Sequence, residues 1–164
     1  MFNKSEKINK ALSDHYYMNL ELGIYYMDLY HQVNSMGMPV FAEYIKELSD
    51  DKITIHKDLI SKYMADVDQP IVGNIKPIQF KKFNSPKEIN DELFRIETDI
   101  RKEVNRIADL TITEKDYEAF TFWKWFVKDG LKDYGEIVAI NDAFNTSSDL
   151  LLIDEVIRRI TKKC

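Results

Sequence analysis

The sequence predicts an all-α fold, a bundle of four long helices with one long crossover and a short fifth helix near the C-terminal end. Apolar residues recur at steps of three and four along four long segments, as expected for helices with one buried face. Alternating runs rich in Val and Thr, typical of strands, are nearly absent. The prolines lie between these segments or at their starts, where they do not interrupt a helix: Pro39, Pro70, Pro77 and Pro86.

The composition favours a water-soluble, single-domain protein of the cytoplasm. The 164 residues are 45% hydrophobic and suffice for one domain with a sizeable core. No apolar run approaches the roughly 18 residues of a membrane span, and Met1 to Lys10 do not resemble a signal peptide. The single cysteine, Cys164, excludes an internal disulfide. A net charge of -5 argues against nucleic acid as the main partner.

The first two helices are predicted from their apolar stripes and from the residues between them. We expect the first helix over residues 5–34, where a polar segment containing Gly37 follows. The second is expected over residues 39–65, with Pro39 in its first turn. Its apolar stripe has one gap, at Lys52.

The third, fourth and fifth helices have recognisable start signals. The segment 85–88 (SPKE) is a capping box with proline at the first helical position, which predicts a helix over 86–110. We expect residues 111–113 to end it and an aromatic-rich helix to occupy 114–144. Ser147 or Ser148 is expected to cap the short fifth helix, 149–161.

The segment 66–84 predicts how the helices are connected. A helix of about 27 residues is roughly 40 Å long, and these nineteen residues can span roughly 60 Å when extended. The segment can therefore run the length of the bundle and make the second and third helices parallel. The other connections are short and predict antiparallel neighbours, so that one crossover joins two hairpins.

Three charged residues lie within the apolar stripes, namely Glu21, Lys52 and Glu97. A buried carboxylate needs a metal ion, a counter-charge or a proton. We therefore expect Lys52 to contact Glu21, Glu97 or both as an internal counter-ion. The alternative is that each of the three lies at the edge of its stripe and reaches solvent.

No Glu-x-x-His pair, the spacing that di-iron bundles use, occurs in the sequence. The nearest equivalent is Asp28 with His31, which is either a metal-binding pair or a solvated one. His15 and His56 have no carboxylate at that spacing and are interpreted as ordinary helix residues. Nucleophile elbows, glycine-rich phosphate loops and Cys-x-x-Cys pairs are also absent.

Four segments resemble the bacterial non-haem ferritins. Residues 122–130 (FWKWFVKDG) are similar to the ferritin segment F-L-x-W-F-V-x-E-Q, and 19–22 (NLEL) to the N-x-E of its first helix. Residues 37–44 (GMPVFAEY) resemble the G-x-x-x-F-A-x-[WY] entry to the second helix, and 95–97 (RIE) the H-E segment of the third. The resemblance covers nearly the whole chain and implies a ferritin-like four-helix bundle.

The same resemblance implies that the di-iron ferroxidase centre is degenerate. The glutamates of the first and third helices are retained as Glu21 and Glu97, which are candidate metal ligands. The bridging glutamate becomes Lys52, the histidine Ile55 and the glutamine Gly130. His56 is displaced by one residue, about 100° around the helix, and is not expected to substitute. A one-residue shift in the register of the second helix could change these details but would not create a Glu-x-x-His pair. Two adjacent Fe²⁺ ions need more anionic ligands than these.

By resemblance, the chain is expected to be an iron-storage subunit of a hollow homo-oligomer of about 24 chains. Iron is its expected cargo, and no haem-binding signal is identifiable. Iron oxidation would be slow, and Glu47, Asp50 and Asp51 could nucleate the mineral, unless they form an ordinary solvated face. The alternatives are a ferroxidase with a relocated site at Asp28, His31 and Glu21, and an iron-free structural cage protein.

Overall fold

The computed structural model describes residues 4–162, so Cys164 lies outside the described residues. Every regular element in this part of the chain is helical, as predicted. None of the helices in residues 4–162 is both long enough and apolar enough to cross a membrane. The helices are α1 (Glu6–Ser35), α2 (Pro39–Asp51), a π turn (Lys52–His56), α3 (Lys57–Asp66), α4 (Pro86–Thr113), α5 (Tyr117–Thr146) and α6 (Leu150–Thr161).

The helices form two packed pairs joined by an extended crossover, which occupies most of residues 67–85. The α2 helix continues through the π turn into α3, and this long helix packs along α1. The α4 helix packs along α5 and touches α1, while α6 packs against α2 and α5. This arrangement is the predicted four-helix bundle with a short C-terminal helix.

The interior consists of two apolar clusters with a polar level between them. One cluster surrounds Phe41 and Phe144, and the other surrounds Trp123. The two clusters share no buried residue. Between them lie buried polar and charged side chains, namely His15, Asn19, Ser49, Lys52 and Glu97. Burying such groups costs free energy unless each forms a hydrogen bond or an ion pair. This level of the bundle is therefore the candidate functional site.

The α1 helix approaches α2 closely at Gly23. The Ser49 hydroxyl donates a hydrogen bond to the Gly23 carbonyl oxygen over 2.6 Å. A Cβ atom built on Gly23 would overlap Cγ1 of Ile53 and would lie 2.7 Å from its Cδ1. The missing side chain therefore leaves the space that Ile53 fills, immediately beside the π turn.

The boundary between α4 and α5 differs from the prediction. The α4 helix does not end at Thr111 but continues to Thr113, and the Thr111 hydroxyl donates to the Ala108 carbonyl within the helix (2.7 Å). Lys115 adopts a left-handed conformation with φ 57°, which turns the chain. The Asp116 carboxylate then caps α5 by accepting from Ala119 N (3.0 Å).

The α6 helix is capped and anchored by its own aspartates. Its cap is Asp149, which accepts from the backbone of Leu151 and Leu152, and the prediction of Ser147 or Ser148 is wrong. Asp154 is buried and accepts hydrogen bonds from Val40 N (3.2 Å) and Phe41 N (2.9 Å). Since these N–H groups belong to the first turn of α2, Asp154 holds α6 against the end of the bundle.

Candidate functional site

The π turn determines which histidine faces the polar level of the bundle. The Lys57 N–H donates to the Lys52 carbonyl, five residues earlier, so this turn contains one more residue than an α-helical turn. An inserted residue rotates everything after it by about 100°. His56 therefore takes the orientation that Ile55 would have in an uninterrupted helix. Ile55 is 47% exposed, whereas His56 is partly buried and contacts Asp129, so the interpretation of His56 as an ordinary helix residue is wrong.

Lys52 forms a buried ion pair with Glu97. The two residues are 3% and 8% exposed, and Lys52 Nζ lies 3.2 Å from Glu97 Oε1. The Tyr26 hydroxyl donates to the same Glu97 oxygen over 2.6 Å. The ammonium also lies 5.2 Å from the centre of the Tyr26 ring. The predicted counter-ion role of Lys52 is confirmed for Glu97.

Glu21 does not join this pair. Its carboxylate accepts a hydrogen bond from the backbone N–H of Lys76 in the crossover (2.8 Å). Along α1 the side chains of Asn19 and Tyr26 are buried, and Glu21 lies about 200° around the helix from Asn19. Of the two predicted partners of Lys52, Glu21 is therefore not a contact.

On the α5 side of the same level, His56 meets two aspartates. His56 Nε2 lies 3.1 Å from Asp129 Oδ2. Asp133 completes a group in which one ligand atom from each residue lies within 4.8 Å of the others. Within residues 4–162 this is the one such group of three or more metal-ligating side chains. A cavity of about 40 Å³ adjoins it and also touches His15, Lys52, Glu97, Arg101 and Gly130.

The electrostatics of this cluster follow from its burial and its pairing. The hydrogen bond with His56 holds the pKa of Asp129 below its usual value. Burial, followed by repulsion from Asp129 and Glu97, raises the pKa of Asp133 to about 7. Complete burial lowers the pKa of His15 to about 3, so this imidazole is neutral.

Two cationic side chains, Lys52 and Arg101, line the cavity. A Cβ atom built on Gly130 would lie 3.8 Å from Arg101 Nη1, so a guanidinium adjoins the place where the ferritin resemblance puts a glutamine. Lys52 also lines the cavity, and its ammonium lies against Glu97. Two cationic side chains therefore already occupy the surroundings of the cavity. Any metal ion in this cavity would be repelled by these two positive charges.

The other predicted metal-binding residues lie apart from this cavity. The Asp28 carboxylate accepts a hydrogen bond from Gln32 (2.8 Å), and His31 is exposed with its ring 4.9 Å from that of Tyr30. Glu21 is bound to the crossover. These three residues do not belong to the cluster formed by His56, Asp129 and Asp133.

The predicted nucleation carboxylates form an acidic stretch at the end of α2, and the last of them, Asp51, is close to this cluster. Asp50 is exposed, while Glu47 and Asp51 are half-buried. Burial raises the pKa of Asp51, on which the charges of His56 and Asp129 act in opposite directions. Asp51 is therefore close enough to the cluster to interact with it electrostatically.

Asp133→Asn should stabilise the metal-free protein at alkaline pH. The folded pKa near 7 exceeds the unfolded value of about 3.9, so the folded state retains a proton and stability falls as the pH rises between these values. Asparagine cannot ionise. We expect a gain in the free energy of unfolding of the order of 1 kcal/mol at pH 8 that shrinks towards pH 5.

Urea unfolding in the presence of a chelator would measure this effect. Asp142→Asn, a change at an exposed aspartate of the same helix, is the matched control. An equal gain at pH 5 and pH 8, or no gain at either pH, would contradict the assigned burial of Asp133.

Several known proteins are similar to this chain in sequence. Residues 6–140 match the family described as Ferritin-like domain. The chain is 37% identical over 162 residues to an uncharacterized protein of Ureaplasma parvum, covering 98% of this chain and 95% of that protein. It is 25% identical over 167 residues to a probable bacterial non-heme ferritin-like protein of Haemophilus influenzae, covering 97% and 98%.

Among solved structures, the fold is similar to that of the ferritin of M. penetrans. The TM-score is 0.86 at 26% identity, and the match covers 96% of this chain and 97% of that protein. The likeness extends over the whole bundle rather than over one helix pair.

Proposed function

The chain belongs to the ferritin-like family, and from this premise we propose that it is an iron-storage subunit without a functional di-iron ferroxidase centre. The observation that carries the proposal is the buried ion pair between Lys52 and Glu97. An ammonium 3.2 Å from this carboxylate supplies the positive charge that a metal ion would otherwise bring there. Iron would then be oxidised slowly, on surface carboxylates or by an external oxidant.

Storage also requires a container, and α6 supports assembly into one. Leu151 and Leu152 are 80% and 53% exposed in the isolated subunit. An apolar surface of this kind is typically covered by a neighbouring chain. Asp154 holds α6 firmly, so the leucines are presented on a fixed element. We propose a closed homo-oligomer of about 24 chains in the cytoplasm, with α6 at its contacts.

Mineral growth is assigned to the acidic stretch formed by Glu47, Asp50 and Asp51. Carboxylates spaced at one face of a helix raise the local concentration of cations. Of the three, Asp51 lies close enough to Asp129 for their charges to interact. By the ferritin resemblance, this face of α2 looks into the cavity of the cage.

Replacing these three carboxylates by alanine should slow mineral growth several-fold while leaving assembly intact. The measurement is the absorbance of the ferric mineral during aerobic loading with many Fe²⁺ ions per subunit, with the particle mass followed by light scattering. A triple alanine variant at Asp14, Asp99 and Asp109, on α1 and α4, removes the same charge elsewhere and should load normally.

The same assay separates the rival functions. Unchanged loading in the Glu47, Asp50 and Asp51 variant would mean that these carboxylates form an ordinary solvated face and do not nucleate the mineral. A wild-type protein that takes up no iron would instead be a structural cage protein, and a monomer or dimer at micromolar concentration would exclude the cage. A rapid oxidation phase would indicate a working ferroxidase.

A further inference from the structure

The α5 side of the polar cavity has the features of a complete site for one metal ion. Ligands bound at about 2.0–2.2 Å from a single ion lie roughly 3–4 Å from one another. The ligand atoms of His56, Asp129 and Asp133 already lie within 4.8 Å of one another, and His56 and Asp129 are 3.1 Å apart. Small side-chain adjustments would therefore bring all three onto one ion.

A second observation points to a ligand at the same place. His15 is fully buried and lines this cavity, and its Nδ1 atom has no hydrogen-bond partner. An unpaired buried polar atom normally indicates a missing water or ion. The cavity of about 40 Å³ is larger than the roughly 10–15 Å³ that one water molecule requires. An ion carrying a water molecule would occupy this space and supply a partner for His15.

The charges around the cavity suit one divalent ion and disfavour two. Asp129 and Asp133 can each contribute one negative charge to an ion. The third carboxylate, Glu97, is already neutralised by Lys52. Arg101 adds a further positive charge at the cavity wall. A second divalent ion would lie between these cations without an anionic ligand of its own.

We propose that His56, Asp129 and Asp133 bind a single divalent metal ion of the borderline class, with a water molecule in the remaining position held near His15. One imidazole and two carboxylates suit Fe²⁺, Zn²⁺ or Co²⁺ better than Mg²⁺ or Ca²⁺. By the ferritin resemblance Asp129 takes the place of the glutamate in F-V-x-E-Q, whereas the two retained glutamates, Glu21 and Glu97, are not among the three ligands. The site exists because the π turn brings His56 inward.

Titration of the chelator-treated, assembled protein with Zn²⁺ by calorimetry, and with Co²⁺ by visible absorbance, tests the proposal. We expect one ion per subunit whose binding depends on His56. His56→Gln and Asp133→Asn should each weaken this binding by at least about 100-fold, and His15→Leu by about tenfold, as expected for an outer-sphere partner.

His31→Gln, which changes an exposed histidine on α1, is the matched control and should leave the affinity and the Co²⁺ spectrum unchanged. Particle mass and helical content confirm that each variant folds. Binding that is unaffected by His56→Gln and Asp133→Asn, or two ions per subunit that both depend on His56, would overturn the single-ion site. Since Zn²⁺ is not oxidised, this outcome is independent of whether the protein stores iron.

Discussion

Lys52→Met should lower the free energy of unfolding by about 3–5 kcal/mol at neutral pH. The substitution keeps the length of the side chain but removes the ammonium that faces Glu97 at 3.2 Å. The Tyr26 hydroxyl remains as a donor, but a neutral donor does not compensate a carboxylate in the interior of a bundle. For a chain of this size the loss corresponds to a melting temperature lower by roughly 6–20 °C.

Thermal and urea unfolding at neutral pH would measure the change. Adding Glu97→Gln to Lys52→Met should recover part of the lost stability at neutral pH. Adding Glu21→Gln should recover nothing, since Glu21 is bound to the crossover backbone instead. A melting temperature equal to that of the parent protein would refute the counter-ion role.

The second large effect concerns iron oxidation. At two Fe²⁺ ions per subunit, the parent protein should show no rapid absorbance phase on mixing with oxygen, because Lys52 and Arg101 oppose a second metal ion. The combination of Lys52→Glu, Gly130→Gln and Arg101→Ala should raise the early oxidation rate by at least about tenfold, equivalent to ~1.4 kcal/mol in the barrier. Stopped-flow absorbance with the assembled cages is the measurement.

In the structure, residue 56 rather than residue 55 occupies the position of the missing histidine ligand. Sequence alignment alone assigns the missing histidine to position 55, but Ile55 points outward and His56 already faces the cavity. Ile55→His is therefore the control variant and should leave the rate unchanged. Each single restoration should do little, since metal ligands act as a unit. A millisecond phase in the parent protein, or a response to Ile55→His alone, would contradict this assignment.

The sequence by itself determined the architecture, because its signals are local. Helix-period apolar residues, the capping box before Pro86 and the positions of the prolines act within a few residues of one another. The observed helix ends differ from the predicted ones by up to three residues. The pairing of Lys52 with Glu97 was also predictable. Opposite charges within apolar stripes must either form an ion pair or reach solvent, because an unpaired buried charge is costly.

Only the tertiary structure decided which residues share the polar cavity. The direction of His56 depends on the π turn, which lies where Ile53 packs against Gly23 of another helix. The position of Glu21 depends on the path of the crossover, because the backbone N–H of Lys76 donates a hydrogen bond to its carboxylate. One inserted residue rotates the side chains that follow it by about 100°. The apolar pattern of the sequence hardly changes, so it does not reveal the insertion. Contacts between distant segments therefore set the chemistry of the site, while local patterns set the helices that carry it.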